Sequence, residues 1–267
     1  MKIQTLPVFA DRPWAKVTAY LNENPSPTPR RAMIVCPGGG YAHLAYREDE
    51  PIALAWAAEG FQVFSLHYGI NENAKSFGPL VEACTAIRYV REHAQELKID
   101  PDRIFITGFS AGGHLAASAG TLWDHAAVRA AFGDAPTRLG RPDGTVLCYP
   151  VITAGEYAHR GSMYNLTYQG STLEEQAAFS LENFVDDETA PSFLWHTAND
   201  PAVPSMNSLL YASALARCKV PYELHIYPDG VHGLSLCDER SWDGVPPLIN
   251  PVAADWFHQA VRWAKAL

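Results

Sequence analysis

Short apolar runs alternate along the chain with longer stretches in which apolar residues recur every three or four positions. The runs are rich in β-branched and aromatic residues and cover 32–36, 61–68, 103–108, 145–151, 192–197 and 222–227. Strands that are buried on both faces of a parallel sheet have this nearly continuous apolar character. The pattern therefore predicts six buried strands, and the alternation in residues 16–22 predicts an antiparallel edge strand.

The longer stretches have the periodicity of helices that pack one face on a sheet. In residues 80–98 the apolar stripe consists of Val81, Cys84, Ile87, Val90 and Ala94. Pro101 marks the end of this helix, because proline has no N–H group to donate. Similar helices are predicted at 50–59, 205–217 and 251–265. Alternating strands and helices are typical of βαβ units, so we expect a single α/β domain over residues 1–267, with a mostly parallel central sheet flanked by helices on both faces.

One segment, residues 154–190, has no clean period and is polar, although strong strands flank it. Insertions of this length often form a lid or a substrate-binding excursion. We therefore expect a small lid-like insertion here. A plain surface connection is the alternative.

The charge balance limits the partners that the chain can have. The formal net charge is −9, which disfavours nucleic-acid binding because such binding depends on clustered Lys and Arg. The sequence has neither an apolar run long enough to span a bilayer nor an N-terminal signal segment. These features favour a cytoplasmic protein that binds a small, uncharged substrate and neither nucleic acid nor membrane.

The five cysteines are odd in number and widely spaced, and most lie in apolar runs. A zinc site needs close pairs of Cys or His. We therefore interpret the cysteines as buried free thiols and expect no metal.

A motif with chemical meaning, Gly108-Phe109-Ser110-Ala111-Gly112, lies between a predicted strand and a predicted helix. This is the context of a nucleophile elbow, in which small residues on each side make room for a strained serine. A helix cap is the alternative reading of the serine. We identify Ser110 as the candidate nucleophile.

A glycine cluster, Pro37-Gly38-Gly39-Gly40-Tyr41, directly follows the first strong strand. An oxyanion hole needs backbone N–H groups close to the substrate, and side chains would block that approach. We predict Gly39, Gly40 and Ala111 as the donors. A phosphate-binding loop is disfavoured, because the cluster lacks the Lys-Ser/Thr ending and the GxGxxG pattern.

The acid and the base follow in the chain order Ser, Asp, His that this kind of elbow requires. Asp200 ends the strand-and-turn segment before Pro201, and His232 lies in the loop after the last strand. An imidazole takes up and returns a proton near pH 7. The rival acids are Asp186, Asp187 and Glu188, which lie before the strand on a polar run.

Other residues near the motifs are candidates for substrate contact. They are Tyr41 and His114 first, with His43 and His196 as further histidines close to motif residues. The remaining histidines considered, His93, His125, His159 and His258, are interpreted as structural.

Four spaced motifs together resemble one group of α/β hydrolases, the carbohydrate acetyl and feruloyl esterases, also described as xylan acetylesterase-like. They are PGGGY, GFSAGGHLA, HTANDPAVP and ELHIYPDGVHG, and the match runs from about Val17 to the C-terminus. The resemblance implies an α/β-hydrolase fold, a triad at Ser110, Asp200 and His232, no cofactor, and short acyl esters of sugars, acetyl above all, as substrates. The chain departs from the lipase pattern at Pro37, where lipase-type loops have histidine.

Two other functions remain open from the residues alone. One is a small serine peptidase that acts on short peptides, and the other is a noncatalytic ligand-binding protein on the same scaffold. An apolar group lies in the proline-rich loop near the C-terminus: Trp242, Val245, Leu248 and Ile249. We expect these residues to form a homo-oligomer contact, and a local core is the alternative.

Overall fold

An eight-stranded sheet forms the centre of the structure, a computed structural model that describes residues 1–75, 77–167 and 171–267. The strand order is β1-β2-β4-β3-β5-β6-β7-β8. The strands are β1 Lys2–Leu6, β2 Lys16–Leu21, β3 Arg30–Cys36, β4 Gln62–His67, β5 Ile99–Phe109, β6 Gly144–Cys148, β7 Ser192–Thr197 and β8 Tyr222–Tyr227.

The sheet is parallel from β4 through β8 and antiparallel at one end, where β2 pairs with both β1 and β4. The prediction of a mostly parallel sheet is confirmed. The predicted edge strand at 16–22 is antiparallel, but it lies one position inside the edge, because β1 covers it. Strand β1 was missed since it is short and mostly exposed, which leaves no apolar run to recognise.

Helices cover both faces of the sheet, as the sequence predicts. Along β3 the buried side chains alternate between two cores: Ile34 belongs to one core, and Met33 and Val35 belong to the other. This alternation is the two-residue period of a strand. The helices are α1 Glu50–Ala58, α2 Gly78–Glu92, α3 Ala94–Leu97, α4 Ala111–Thr121, α5 Ala126–Phe132, α6 Arg160–Leu166, α7 Leu173–Ala177, α8 Met206–Arg217 and α9 Trp256–Ala266.

The two cores are built from different helices. The first contains buried residues of α2, α4 and α8, among them Ile87, Leu115 and Leu215. The second contains buried residues of α1 and α9, among them Trp56 and Phe257. The helical stripes predicted from the sequence therefore face the sheet.

The parallel strands bring the predicted motifs to one edge of the sheet. Strands β3, β5, β7 and β8 all run in the same direction, so their carboxyl ends lie together. The segments after them carry the glycine cluster, Ser110, Asp200 and His232. Ligand sites of open α/β sheets form at this edge.

The polar segment 154–190 contains helices α6 and α7; its residues 168–170 lie outside the described part of the chain. Within residues 1–75, 77–167 and 171–267, no helix has both the length and the apolarity needed to cross a membrane.

Candidate active site

The turn that carries Ser110 joins β5 directly to α4 and has a strained backbone. Ser110 has φ 55° and ψ −117°, a conformation that L-residues rarely adopt. Its N–H donates to the Cys148 carbonyl at 3.0 Å, and its carbonyl accepts from the Val151 N–H at 3.0 Å. These two bonds, to the last residue of β6 and to the chain just after it, hold the turn in place.

The two glycines of the motif are required by close backbone approach. A Cβ atom on Gly108 would lie 2.0 Å from the Gly112 carbonyl oxygen, and one on Gly112 would lie 2.1 Å from the Cys36 oxygen. Both separations are far below van der Waals contact. The turn therefore excludes any side chain at these two positions.

Ser110, His232 and Asp200 form a continuous chain of hydrogen bonds. The Ser110 hydroxyl lies 2.8 Å from Nε2 of His232, and Nδ1 of His232 lies 2.7 Å from Oδ2 of Asp200. With the proton on Nδ1, the imidazole donates to the carboxylate and accepts from the serine. Along the chain, His232 is 122 positions from Ser110 and 32 positions from Asp200, so the fold brings together residues that are distant in sequence.

The Asp200 carboxylate is buried and remains ionised. Burial opposes ionisation, but hydrogen bonds from His196 and His232 and from the Val203 N–H hold the pKa of Asp200 well below its usual range. The other carboxylate oxygen, Oδ1, accepts from the backbone N–H groups of Ala202 and Val203, each at 2.9 Å. The turn fixes one oxygen and leaves the other to orient the imidazole.

The predicted oxyanion donors lie around the serine. Gly39 and Gly40 line a cavity of about 340 Å³ together with Ser110 and His232, and Ala111 begins helix α4. In the described part of the chain, the backbone N–H groups of Gly39, Gly40 and Ala111 have no protein acceptor. Unpaired N–H groups beside a nucleophile are suited to bind negative charge that develops on a substrate oxygen.

The chain is similar to known hydrolases in both sequence and fold. The BD-FAE family matches residues 18–140, and the prolyl oligopeptidase family matches residues 82–241. The crystal structure of an acetyl ester-xyloside bifunctional hydrolase from Caldicellulosiruptor lactoaceticus has 37% sequence identity and a TM-score of 0.84, and the match covers 98% of this chain and 96% of that one. The chain belongs to the α/β-hydrolase family, in its carbohydrate-esterase group.

Two curated relatives of this α/β hydrolase are longer than the chain itself. Endo-1,4-beta-xylanase B of Butyrivibrio fibrisolvens is 36% identical over 85% of the chain and 35% of its own length. Acetylxylan esterase of Xylanibacter ruminicola is 31% identical over 88% of the chain and 48% of its own length. The chain thus spans between a third and a half of these two proteins.

Two of the predicted substrate-binding residues of the hydrolase do not lie at the cavity. Tyr41 and His114 are each 1% exposed, and the Tyr41 hydroxyl lies 2.9 Å from Nδ1 of His114. Nε2 of His114 lies 2.9 Å from the Phe179 carbonyl. This corrects the prediction of substrate contact, because the side chains instead link the glycine loop to α4 and to the segment 154–190.

The other histidines near the motifs differ in position. His43 lines the cavity. His196 is fully buried behind the acid, with Nε2 2.9 Å from the Val203 carbonyl and 3.5 Å from Oδ2 of Asp200. His196 therefore contacts the acid and not the cavity.

Of the rival acids, Asp186 accepts from the Glu188 N–H and from the Thr189 hydroxyl in a turn of its own.

Sequence reasoning missed four residues with polar side chains that line the cavity. His159 and Asn165 come from the segment 154–190, and Arg47 and Glu48 follow the glycine loop. The Asn165 amide donates to the Gly40 carbonyl at 2.8 Å, so the inserted segment contacts the glycine loop directly. The cluster of charges at 47–50, immediately after the glycine loop, is the one signal in the sequence that pointed to this wall.

Proposed function

We propose that this protein is a serine carboxylesterase that hydrolyses short-chain acyl esters, acetyl esters above all, of sugars or xylo-oligosaccharides. One observation carries the proposal: the Ser110 hydroxyl, hydrogen-bonded to His232 and through it to Asp200, opens into a cavity lined by Gly39 and Gly40. This is the arrangement of nucleophile, base, acid and oxyanion donors that acyl transfer needs.

In the acylation step, Ser110 Oγ attacks the ester carbonyl carbon while Nε2 of His232 takes the hydroxyl proton. The Asp200 carboxylate fixes the imidazole tautomer and stabilises the imidazolium. The carbonyl oxygen becomes an oxyanion and is bound by the free N–H groups of Gly39, Gly40 and Ala111. His232 then gives its proton to the alkoxide, so the alcohol leaves and an acyl-serine remains.

In the deacylation step, a water molecule attacks the acyl-serine. His232 Nε2 accepts a proton from this water, and the same N–H groups bind the second oxyanion. Collapse of this intermediate breaks the bond to Ser110 Oγ, which recovers its proton from His232. The carboxylic acid leaves and the free enzyme is restored.

The cavity wall supports a polar alcohol such as a sugar. Besides the glycines, it presents the polar side chains of His43, Arg47, His159 and Asn165, which can bond to hydroxyl groups. Its volume of about 340 Å³ is near the lower end of the range for small-molecule sites. The acetyl ester assignment is further supported by two relatives that are named acetyl ester-xyloside hydrolase and acetylxylan esterase.

A second candidate is a peptidase, since residues 82–241 match the prolyl oligopeptidase family. The same residues would attack an amide, with His232 giving its proton to an amine. A panel of acetylated xylo-oligosaccharides, p-nitrophenyl esters of increasing chain length and aminoacyl p-nitroanilides separates the two. We expect turnover of the acetyl esters, whereas turnover of the anilides alone would reject the esterase.

The decisive variant is Ser110→Ala, assayed on p-nitrophenyl acetate. We expect a loss of several orders of magnitude in kcat, on the order of 10⁴-fold or more. Ser118→Ala is the matched control, because Ser118 is also buried and lies on α4, where its hydroxyl donates to the His114 carbonyl. Equal activity of Ser110→Ala and the parent would reject the mechanism. Failure of a fluorophosphonate to label Ser110 would favour a noncatalytic binding protein.

A cytoplasmic location is part of the same proposal. All five cysteines are free, and four of them are buried. Unpaired thiols are typical of proteins in a reducing compartment.

A further inference from the structure

Glu48 is a buried glutamate whose two carboxylate oxygens contact two different segments of the chain. Glu48 comes shortly after the glycine loop in the sequence, and it is 2% exposed. Oε2 accepts from the Gly38 backbone N–H at 2.9 Å, and Oε1 accepts from the Tyr149 hydroxyl at 2.7 Å. Gly38 begins the loop of the predicted oxyanion donors, whereas Tyr149 follows strand β6. The carboxylate therefore joins these two segments.

Tyr149 extends this connection to the loop of His232. Its hydroxyl oxygen accepts from the Ser235 backbone N–H at 2.8 Å, and its ring lies edge-on to the His232 ring with centroids 5.1 Å apart. Burial, together with the Glu48 charge, raises the pKa of Tyr149 well above its usual value. The phenol therefore stays protonated, and its O–H group donates a hydrogen bond to Glu48.

The same loops are joined a second time beside Glu48. The Ser235 hydroxyl donates to the Arg47 carbonyl at 2.6 Å, and Nε of Arg47 donates to the Gly233 carbonyl at 2.9 Å. Two residues that follow His232, Gly233 and Ser235, thus bond to the pair Arg47–Glu48, directly through Arg47 and, for Ser235, also by way of Tyr149 through Glu48. The position of the imidazole depends on this pair.

The arrangement uses both oxygens of a carboxylate. The two donors reach two different oxygens, and a neutral amide has an NH2 group in place of one of them, so it cannot accept at both positions. Burying a carboxylate is costly unless it is well hydrogen-bonded. The Arg47 guanidinium is directed elsewhere, to the Gly233 carbonyl and toward Asp243 at 3.6 Å.

Glu48 and Ser110 both pack closely against Gly38. A Cβ atom on Gly38 would lie 2.5 Å from Oε2 of Glu48 and 3.1 Å from Cβ of Ser110. A shift of the Glu48 carboxylate therefore moves Gly38, and with it Gly39 and its N–H group, relative to the serine.

We propose that Glu48 is a positioning residue that sets the distance between the oxyanion donors of the glycine loop and the loop of His232. It touches neither the ester nor the proton in transfer, and it acts through Gly38 and through Tyr149. The inference rests on the proposed esterase function and adds to it a group that tunes the transition state.

Two variants separate the contacts of Glu48. Glu48→Gln keeps the size of the side chain but leaves one acceptor oxygen for two donors. Tyr149→Phe keeps the ring against His232 and the Gly38 bond, but it removes the link to Ser235. Glu82→Gln is the matched control, because Glu82 is also fully buried and accepts from a loop glycine, the Gly69 N–H at 2.7 Å, away from the cavity.

The measurement is kcat and KM on p-nitrophenyl acetate, expressed per serine titrated with a fluorophosphonate, together with the melting temperature. For Glu48→Gln we expect kcat to fall at least about tenfold while KM changes less than about threefold, because oxyanion donors act in the transition state. For Glu82→Gln we expect a lower melting temperature and a kcat within about twofold of the parent. Dividing by titrated serines removes the effect of unfolded protein.

Each result decides the proposal. Parental kcat per titrated site in Glu48→Gln overturns it, and so does an equal fall in Glu82→Gln. If Glu48→Gln yields no folded protein, Tyr149→Phe decides, since a kcat loss of at least about threefold at unchanged KM supports the proposal and parental kcat overturns it. Absence of ester hydrolysis in the parent would instead reject the esterase function itself.

Discussion

Nδ1 of His159 accepts a hydrogen bond from the backbone N–H of Ser162 at 3.2 Å, and so caps the first turn of α6. Because Nδ1 accepts, a neutral His159 carries its proton on Nε2. Burial is the main cause that lowers the pKa of His159, and the His232 charge adds to it, so the ring stays neutral near pH 7. The cavity wall therefore contains an imidazole N–H donor of fixed tautomer.

This relationship predicts the effect of His159→Asn. Asparagine is a good helix cap, so the fold of α6 is retained while the Nε2–H donor is lost. We expect kcat/KM on acetylated xylo-oligosaccharides to fall about 2- to 10-fold, the range of one hydrogen bond, and kcat/KM on p-nitrophenyl acetate to change much less. His125→Asn is the control, since His125 caps α5 in the same way through the Ala127 N–H. Equal losses on both substrates would contradict a role in binding the sugar.

Asp200→Asn tests the acid. The amide has an NH2 group in place of one carboxylate oxygen, so it cannot accept both from the imidazole and from the N–H groups of the turn. The imidazolium also loses its negatively charged partner. We expect kcat to fall about 10³- to 10⁴-fold, as in related triads. A crystal structure of the variant with Ser110 and His232 unmoved would assign the loss to charge and tautomer, whereas activity near the parental level would remove Asp200 from the mechanism.

The two loop glycines give a matched pair for the oxyanion site. An alanine Cβ at Gly39 would lie 2.2 Å from the His43 carbonyl oxygen, whereas at Gly40 the nearest atom is 3.8 Å away. Gly40→Ala therefore costs only the strain of its φ of +64°, about 1–2 kcal/mol, while Gly39→Ala must displace the loop. We expect kcat to fall more than about 100-fold in Gly39→Ala and far less in Gly40→Ala. Similar kcat values for the two variants would argue against Gly39 as a donor.

His114 predicts a pH dependence of stability. Burial lowers the pKa of His114 from 6.5 to about 4 in the folded protein. Between these values the unfolded chain binds a proton that the folded chain does not bind, so this histidine makes the free energy of unfolding fall as the pH drops from about 6.5 to about 4. Urea denaturation of the parent and of His114→Gln at pH 7 and pH 5 measures the effect. We expect a smaller difference between the two pH values in the variant, and an unchanged difference would contradict the lowered pKa.

Self-association stays a prediction. In the C-terminal loop Val245 is 45% exposed and Ile249 is 37% exposed, while Leu248 is buried. We expect Val245→Lys with Ile249→Lys to lower the molar mass measured by light scattering at micromolar concentration. A parent that is already a monomer would end this expectation.

The fold could be predicted because its strands and helices carry strong periodic signals. Strands β3 to β7 each contain a run of buried, mostly apolar residues, and helix α2 has its apolar residues on one stripe. The placement of Ser110, Asp200 and His232 followed from one constraint, namely that parallel strands end at the same edge of the sheet. The required chain order Ser, Asp, His then selected Asp200 among the acidic residues and His232 among the histidines.

The rest of the site depends on loop paths that have no period. Glu48 and His159 reach the cavity through loop segments, so the periodic pattern did not place them there, and for Glu48 the charge cluster at 47–50 was the only signal. Tyr41 and His114 were misassigned for the opposite reason, because nearness to a motif in sequence does not fix whether a side chain points to solvent or to the core. Short strand β1 was missed since an exposed strand needs few apolar residues.

The bonds from Ser110 to Cys148 and Val151 attach the nucleophile to the end of strand β6, whereas the wall that faces a substrate comes from residues 39–48 and 159–165. Residues 39–48 carry the proposed oxyanion donors as well as wall residues, whereas the segment 159–165 belongs to the wall alone. Exchanging the segment 159–165 among relatives therefore offers a route to new substrate preferences that leaves the reactive serine and the glycine loop as they are.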